Sequence, residues 1–312
     1  MTNGSGRSNG HLDRALGCFV GLAVGDAVGT AVEFKPRHSF PYLRDMVGGG
    51  AFNLKAGQWT DDTSMSICLA ESLLKYSLLD SHDLMKRFLS WFRNGTNSST
   101  GTCFDIGNTT VESLKRFEFN GDPMAGSKDD DAAGNGSIMR LAPVAAMWWR
   151  YPNVADEIAR FQSLTTHAAP DCLDACSLLS RVLCRAISGE GIASLKNSNK
   201  SWSKKVNCIG TWDWYGIPES EINSSGYVIE TLEAAFWAVS RADNFEEAVL
   251  MAANLGEDAD TVAAVTGQIA GAIWGLSGIP KKWVKKLHHS ARIKKIANDL
   301  FERGTAVSEL LP

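Results

Sequence analysis

The sequence carries no surplus of positive charge and no long run of lysine or arginine. With 31 Lys and Arg against 35 Asp and Glu, the formal net charge is -4 and the pI about 5.9, so no nucleic-acid partner is expected. Long hydrophobic runs are missing as well: none approaches the roughly 20 apolar residues of a bilayer-spanning helix, and no stable membrane insertion is expected. The opening MTNGSGRSNGH has no basic start followed by an apolar run. No signal peptide is therefore expected, and residues 1–10 read as a disordered leader. The seven cysteines are an odd number scattered mostly through apolar helical patterns, a usage typical of reduced thiols that points to the cytoplasm. The six histidines show no zinc-module spacing; His167 with Cys172 and Cys176 lacks a matching second half. Strand-like alternation is scarce throughout.

What remains is helical periodicity. The chain has 312 residues, 44% of them hydrophobic and 21% charged, enough for a substantial core. Leu12, Leu16, Phe19, Val20, Val24, Val28 and Val32 recur at helical spacing up to Phe34, with Gly21, Gly25 and Gly29 at every fourth place on one face. Such a glycine stripe lets another backbone come close. Asp26 lies inside this helix and needs a partner, either a nearby helix start or a metal ligand. Glu33 falls seven residues on, near the helix end. Further helices are expected at about 61–79, 83–92, 138–148, 172–183, 226–239, 245–253, 262–274, 283–287 and 293–301, giving an all-α fold with loops long enough to build a cleft. The polar segment 191–225 reads as an insertion or long loop.

Two acidic clusters stand out. Thr60-Asp61-Asp62-Thr63 follows Trp59 and opens an apolar helix; Glu257-Asp258-Ala259-Asp260-Thr261 opens another some two hundred residues later. Each alone fits a helix N-terminus with acids complementing the dipole. Together they fit a dinuclear centre, because hard divalent cations take several oxygen donors and balance carboxylates that would otherwise repel. Gly134-Asn135-Gly136-Ser137, with Arg140 one turn on, reads either as an anion site or as a glycine turn with a Ser137 cap. Asp105, between Phe104 and Ile106, is an N-cap or an acid. Tyr227 is core or a stacking platform.

Read in order, Gly25-Asp26-Ala27-Val28-Gly29 with Glu33, Thr60 to Thr63, Asp105-Ile106-Gly107-Asn108, Gly134 to Ser137 with Met139-Arg140, Thr166-His167, Gly226-Tyr227 and Glu257 to Thr261 resemble the ADP-ribosylglycohydrolase family. The resemblance spans about Leu12 to Gly275. It implies a compact single-domain orthogonal helical bundle over 11–312, with a central cleft holding two Mg2+ or Mn2+ ions. By matching positions, Thr60, Asp61, Asp62, Asp258, Asp260 and Thr261 would hold the metals. Asp105 would be the general acid/base with Glu33 as support; Asn108, Gly134, Asn135, Gly136, Ser137, Arg140, His167 and Tyr227 would bind the substrate. The implied activity is removal of ADP-ribose from arginine on a modified protein by a monomeric enzyme, with ADP-ribose as product. Rivals are hydrolysis of serine-linked or O-acetyl ADP-ribose, and a non-catalytic binding protein of the same fold. A dimetal phosphoesterase would be expected to show more histidine ligands.

Overall fold

A computed structural model of the chain describes residues 4–308 apart from Ser198, Lys200 and Asp213. Residues 1–3 of the expected leader lie outside the described residues, and helix α1 (Gly4–Gly29) is already under way from Gly4. Thirteen α-helices and no strand occur among the described residues, with only isolated bridges such as Gly134 to Tyr227. The fold is all-α.

Its axis is α1 packed antiparallel against α11 (Ala259–Gly278). The glycine stripe is the reason. A methyl group on Gly17, Gly21, Gly25 or Gly29 would lie 2.3, 2.2, 2.0 and 2.2 Å from the carbonyl oxygens of Gly271, Gly267, Ala263 and Ala259. Gly267 and Gly271 return the contact, facing the carbonyls of Gly21 and Gly17. No side chain fits between the two backbones, so register is fixed turn by turn. The C-terminal end of α1 thereby meets the N-terminal end of α11, which brings Asp26 and Glu33 to Asp258 and Asp260. Helix α11 is apolar nearly all round and buried over most of its length, as a central helix must be.

Around this pair lie α2 (Asp61–Tyr76), α3 (Ser81–Asn94), α4 (Asn108–Asn120), α5 (Ala142–Trp148), α6 (Pro152–Leu164), α7 (Pro170–Arg185), α8 (Lys204–Gly210), α9 (Val228–Arg241), α10 (Phe245–Ala253), α12 (Lys281–Lys286) and α13 (Ser290–Ser308). Local chemistry sets several ends. Asp80 and Asn244 cap α3 and α10 by accepting from the N–H groups of Asp83 and Glu247 at 2.8 and 2.9 Å. Gly95 closes α3 in the left-handed region.

Three expectations need correcting. Helix α1 stops at Gly29, and residues 30–34 form turns that carry Glu33. The helix expected from Ile138 begins only at Ala142, with turns at 136–140 before it and Pro143 in its first turn, where a missing N–H costs no intrahelical bond. Segment 191–225 is no bare loop, for it holds α8 and buries Trp202 and Trp214 against the body.

Candidate metal centre

The start of α2 is built from a distance. Thr60 sits at its N-cap but makes no capping bond. Asp26, fully buried in α1, does this instead: Oδ1 accepts from the Thr60 N–H at 2.9 Å, and Oδ2 accepts from the Thr63 N–H at 3.0 Å and its hydroxyl at 2.6 Å. Asp26 is thus the structural acceptor, and Thr60 Oγ1 lies between it and the cluster, 3.0 Å from Asp26 Oδ1, 3.0 Å from Asp260 Oδ2 and 3.3 Å from Asp62 Oδ2. Thr261 Oγ1 donates to Asp62 Oδ2 from the other side at 3.3 Å. The two distant acidic segments therefore meet.

They meet with an excess of negative charge. Carboxylate oxygens of Asp61, Asp62 and Asp260 lie within 4.8 Å of one another, and so do those of Glu33, Asp105 and Asp260. Asp260 belongs to both groups, so the geometry offers two adjacent ion positions. Asp258 stands beside them, its Oδ2 taken by the Asn135 amide at 2.5 Å. The ion pairs of the described residues lie elsewhere. Asp62 Oδ1, Asp260 Oδ1 and Glu33 Oε2 are buried with no hydrogen-bond partner. Buried acceptors without donors are costly, and the cost is visible in the titration. Burial, reinforced by neighbouring carboxylates, pushes Glu33 up to about 10 and Asp61, Asp62 and Asp260 well above the usual range. Burial raises Asp105 to about 7 and Asp258 in the same direction. Oxygen-only donors, orphaned and crowded, fit hard divalent cations. The cluster can hold metal ions.

A cleft of about 690 Å³ opens over the cluster, lined by Glu33, Asp61, Asp105, Asp258, Asp260 and Thr261 on one side and by Asn108, Gly134, Asn135, Gly136 and His167 on others. Thr60 and Asp62 sit behind that lining, fully buried. The Gly134–Ser137 turn is pinned from several directions. The N–H of Asn135 bonds the Gly226 carbonyl at 3.0 Å, its side chain reaches Thr231 at 2.9 Å, and the thiols of Cys172 and Cys176 donate to Gly134 O and Ser137 Oγ. Those two cysteines serve the turn. Ser137 lies beneath the turn and caps no helix.

Arg140 is a correction. It does not reach the cleft: its guanidinium is fully buried, donating to Gln162 Oε1 at 2.8 Å and Thr166 Oγ1 at 2.8 Å and stacking over Phe88 at 4.6 Å. Tyr227 caps the edge of α9, its hydroxyl donating to Asp171 at 2.8 Å and accepting from Lys205 at 2.8 Å. The sequence assigns Glu257 of the second acidic cluster no role of its own, and no backbone conformation to it or to Asp105. Glu257 lines the cleft in the left-handed region at φ 56°, its backbone bonded to Phe34 N and Lys35 O. Asp105 takes the same unusual conformation at φ 58°. Strained backbone at two acidic residues of one cleft is the kind of feature that clusters at functional sites, but nothing in the one-letter code marks it.

Comparison with known proteins agrees with this geometry. The sequence model of the ADP-ribosylglycohydrolase family matches residues 7–309. The chain is 44% identical over 308 residues to the ADP-ribosylarginine hydrolase Tri1 of Pseudomonas putida (strain GB-1), a match covering 96% of this chain and 81% of that relative. It is 33% identical over 279 residues to the ADP-ribosyl-(dinitrogen reductase) glycohydrolase of Rhodospirillum rubrum, covering 88% and 90%. The solved structure of an ADP-ribosylglycohydrolase-related protein complex aligns with a TM-score of 0.85 at 39% identity, over 95% of this chain and 99% of that one.

Proposed function

Because the chain belongs to the ADP-ribosylglycohydrolase family, we propose that it cuts the N-glycosidic bond between ADP-ribose and arginine on modified proteins, using two Mg2+ or Mn2+ ions. The observation that carries the reading is Asp260 shared between two carboxylate groups, with orphaned oxygens at the floor of a cleft. Thr60, Asp61, Asp62, Asp258, Asp260 and Thr261 would hold the ions, with Glu33 and Asp105 within reach of one of them. Bound cations there would grip sugar hydroxyls and make water more acidic. The remaining chemistry falls to the chain. Asp105, held above the ordinary carboxylate range by burial, is the carboxyl best suited to act as general acid/base. As water adds to the anomeric carbon and the carbon–nitrogen bond breaks, a carboxylate oxygen of Asp105 takes the proton of the water and returns one to the departing guanidine nitrogen, with Glu33 assisting. The transition state is oxocarbenium-like, and a held ribose shortens the way to it.

The Gly134–Ser137 turn and His167 would flank the diphosphate, Asn108 the sugar end, and Tyr227 the adenosine. The reading takes residues 11–312 as one catalytic domain. The seven free cysteines favour the cytoplasm, and no helix of the described residues is long and apolar enough to cross a membrane. The test is release of ADP-ribose from arginine-modified and serine-modified proteins, with and without EDTA. Release from the arginine-modified protein, lost on chelation, is expected. Chelator-insensitive release overturns the metal role, and release from serine alone overturns the linkage.

A further inference from the structure

Arg140, Thr166 and His167 form a chain of contacts that no substrate role for Arg140 explains. All three are buried. Arg140 Nη2 donates to Thr166 Oγ1 at 2.8 Å, and the same oxygen lies 2.8 Å from His167 Nδ1. The guanidinium has no carboxylate partner among the described residues; its other acceptors are the Gln162 side chain and carbonyl, with Met65 Sδ at 3.9 Å. Hydrogen counting then settles a tautomer. Arginine can only donate, so Thr166 Oγ1 accepts from it, and the threonine's own hydrogen must go elsewhere. The acceptor in reach is His167 Nδ1. Were Nδ1 to carry the proton and donate to Oγ1, the buried hydroxyl hydrogen would have no acceptor. The proton of the neutral ring therefore sits on Nε2.

That nitrogen is the one nearer the two glycines of the turn. A methyl group on Gly136 would come 3.0 Å from Nε2 and 2.6 Å from Cε1, and one on Gly134 would come 3.4 Å from Nε2. Both glycines line the cleft with His167. The Gly136 N–H donates to no protein acceptor among the described residues. We infer that Arg140 and Thr166 are positioning residues that lock His167 as an Nε2–H donor, so that it and the Gly136 N–H present paired neutral donors to one phosphate oxygen of a nucleoside diphosphate sugar. Burial, aided by the charge of Arg140, also holds the ring neutral by lowering its pKa to about 3. The lock means the ring need not choose a tautomer when the ligand arrives, so no affinity is lost to that choice. Gly136 is required for the same reason: any side chain there would occupy the space of the imidazole.

The phosphate role rests on the function proposed above, whereas the tautomer does not. The test uses the full chain with 15N-labelled histidine, the His167 signal being assigned by its loss in His167→Gln. At pH 7 the wild-type ring should give the neutral Nε2–H pattern, with Nδ1 as the unprotonated nitrogen. Thr166→Val should turn this into a tautomer mixture and weaken ADP-ribose binding about tenfold, the worth of one neutral hydrogen bond, raising KM more than it lowers kcat. Thr166→Ser should restore both. A wild-type ring protonated on Nδ1, or charged at pH 6, overturns the lock without any variant. A Thr166→Val chain whose His167 spectrum and ADP-ribose affinity are unchanged also overturns it. If arginine-linked ADP-ribose is not hydrolysed at all, the functional reading fails while the tautomer result still stands or falls by itself.

Discussion

The two ends of the α1–α11 pair obey opposite rules. Along the seam from Gly17 to Gly25, backbone meets backbone with nothing charged and no room to spare. At the end of the same seam, six carboxylates from Glu33, Asp61, Asp62, Asp105, Asp258 and Asp260 crowd together with few donors and, among the described residues, no cationic side chain paired to them. The first region contributes stability through close packing; the second subtracts from it. The contrast teaches that the seam is rigid because the cluster is strained: a site that must hold repelling groups in place for cations needs a scaffold that cannot give.

The largest effect should come from breaking the seam. Gly25→Val would drive a side chain into the Ala263 carbonyl, which already stands 2.0 Å from where a Cβ would sit. A loss of roughly 4 kcal/mol or more is expected, enough to unfold a marginal chain. Thermal unfolding should show Tm and activity lost together. Breaking the cluster should do the reverse. Asp260→Asn should cost at least about a thousandfold in turnover, yet raise Tm in EDTA, because a buried carboxylate that must either repel its neighbours or take up a proton is gone from the set. A lower Tm in EDTA would contradict the strained-site account.

The link between the two regions is Asp26, which joins the seam to the start of α2. Asp26→Asn keeps one acceptor oxygen but cannot accept from both Thr60 and Thr63. A loss of about 1 to 2 kcal/mol in urea unfolding is expected, as for a helix cap, together with weaker metal binding. An unchanged midpoint would mean that α2 is held by packing alone. The smallest effect is in pH dependence. Asp105 is raised to about 7 and Glu33 to about 10, above unfolded carboxylates near 4. Groups raised in the folded state give stability that is fully present below the unfolded pKa and lost as pH rises through the folded one. His167 acts in the opposite sense: lowered to about 3, it costs stability as pH falls below its unfolded value of about 6.5. The carboxylate effect is therefore isolated above pH 6.5. Urea midpoints of the EDTA-treated chain should fall from pH 6.5 to 8 and should fall less with Mn2+ present; a rise would reverse the sign of the argument.

Much of this was legible before any coordinates. Gly21, Gly25 and Gly29 announce a close helix contact because their spacing matches the helix, and each acidic cluster announces itself by opening an apolar helix. The family resemblance ordered these pieces into one site. What could not be read depends on partners far apart in sequence. Arg140 looks the same from its neighbours whether it faces a ligand or the core; Gln162 and Thr166, which turn it inward, lie on another stretch of chain. Asp26 was open between helix cap and metal neighbour for the same reason. The positive φ of Asp105 and Glu257 leaves no mark in the residue types, and Trp202 and Trp214 are buried without any period to give them away. Pro143 and Pro152 each mark the first turn of a helix, α5 and α6.

The central claim is that two remote acidic segments share Asp260 to hold a pair of ions. Calorimetric titration of Mn2+ into the EDTA-stripped and dialysed chain tests it most directly. Two ions per wild-type chain are expected, and at most one weakly held ion in Asp260→Asn. A wild-type chain that takes up none, or an Asp260→Asn chain that still takes up two, would contradict it.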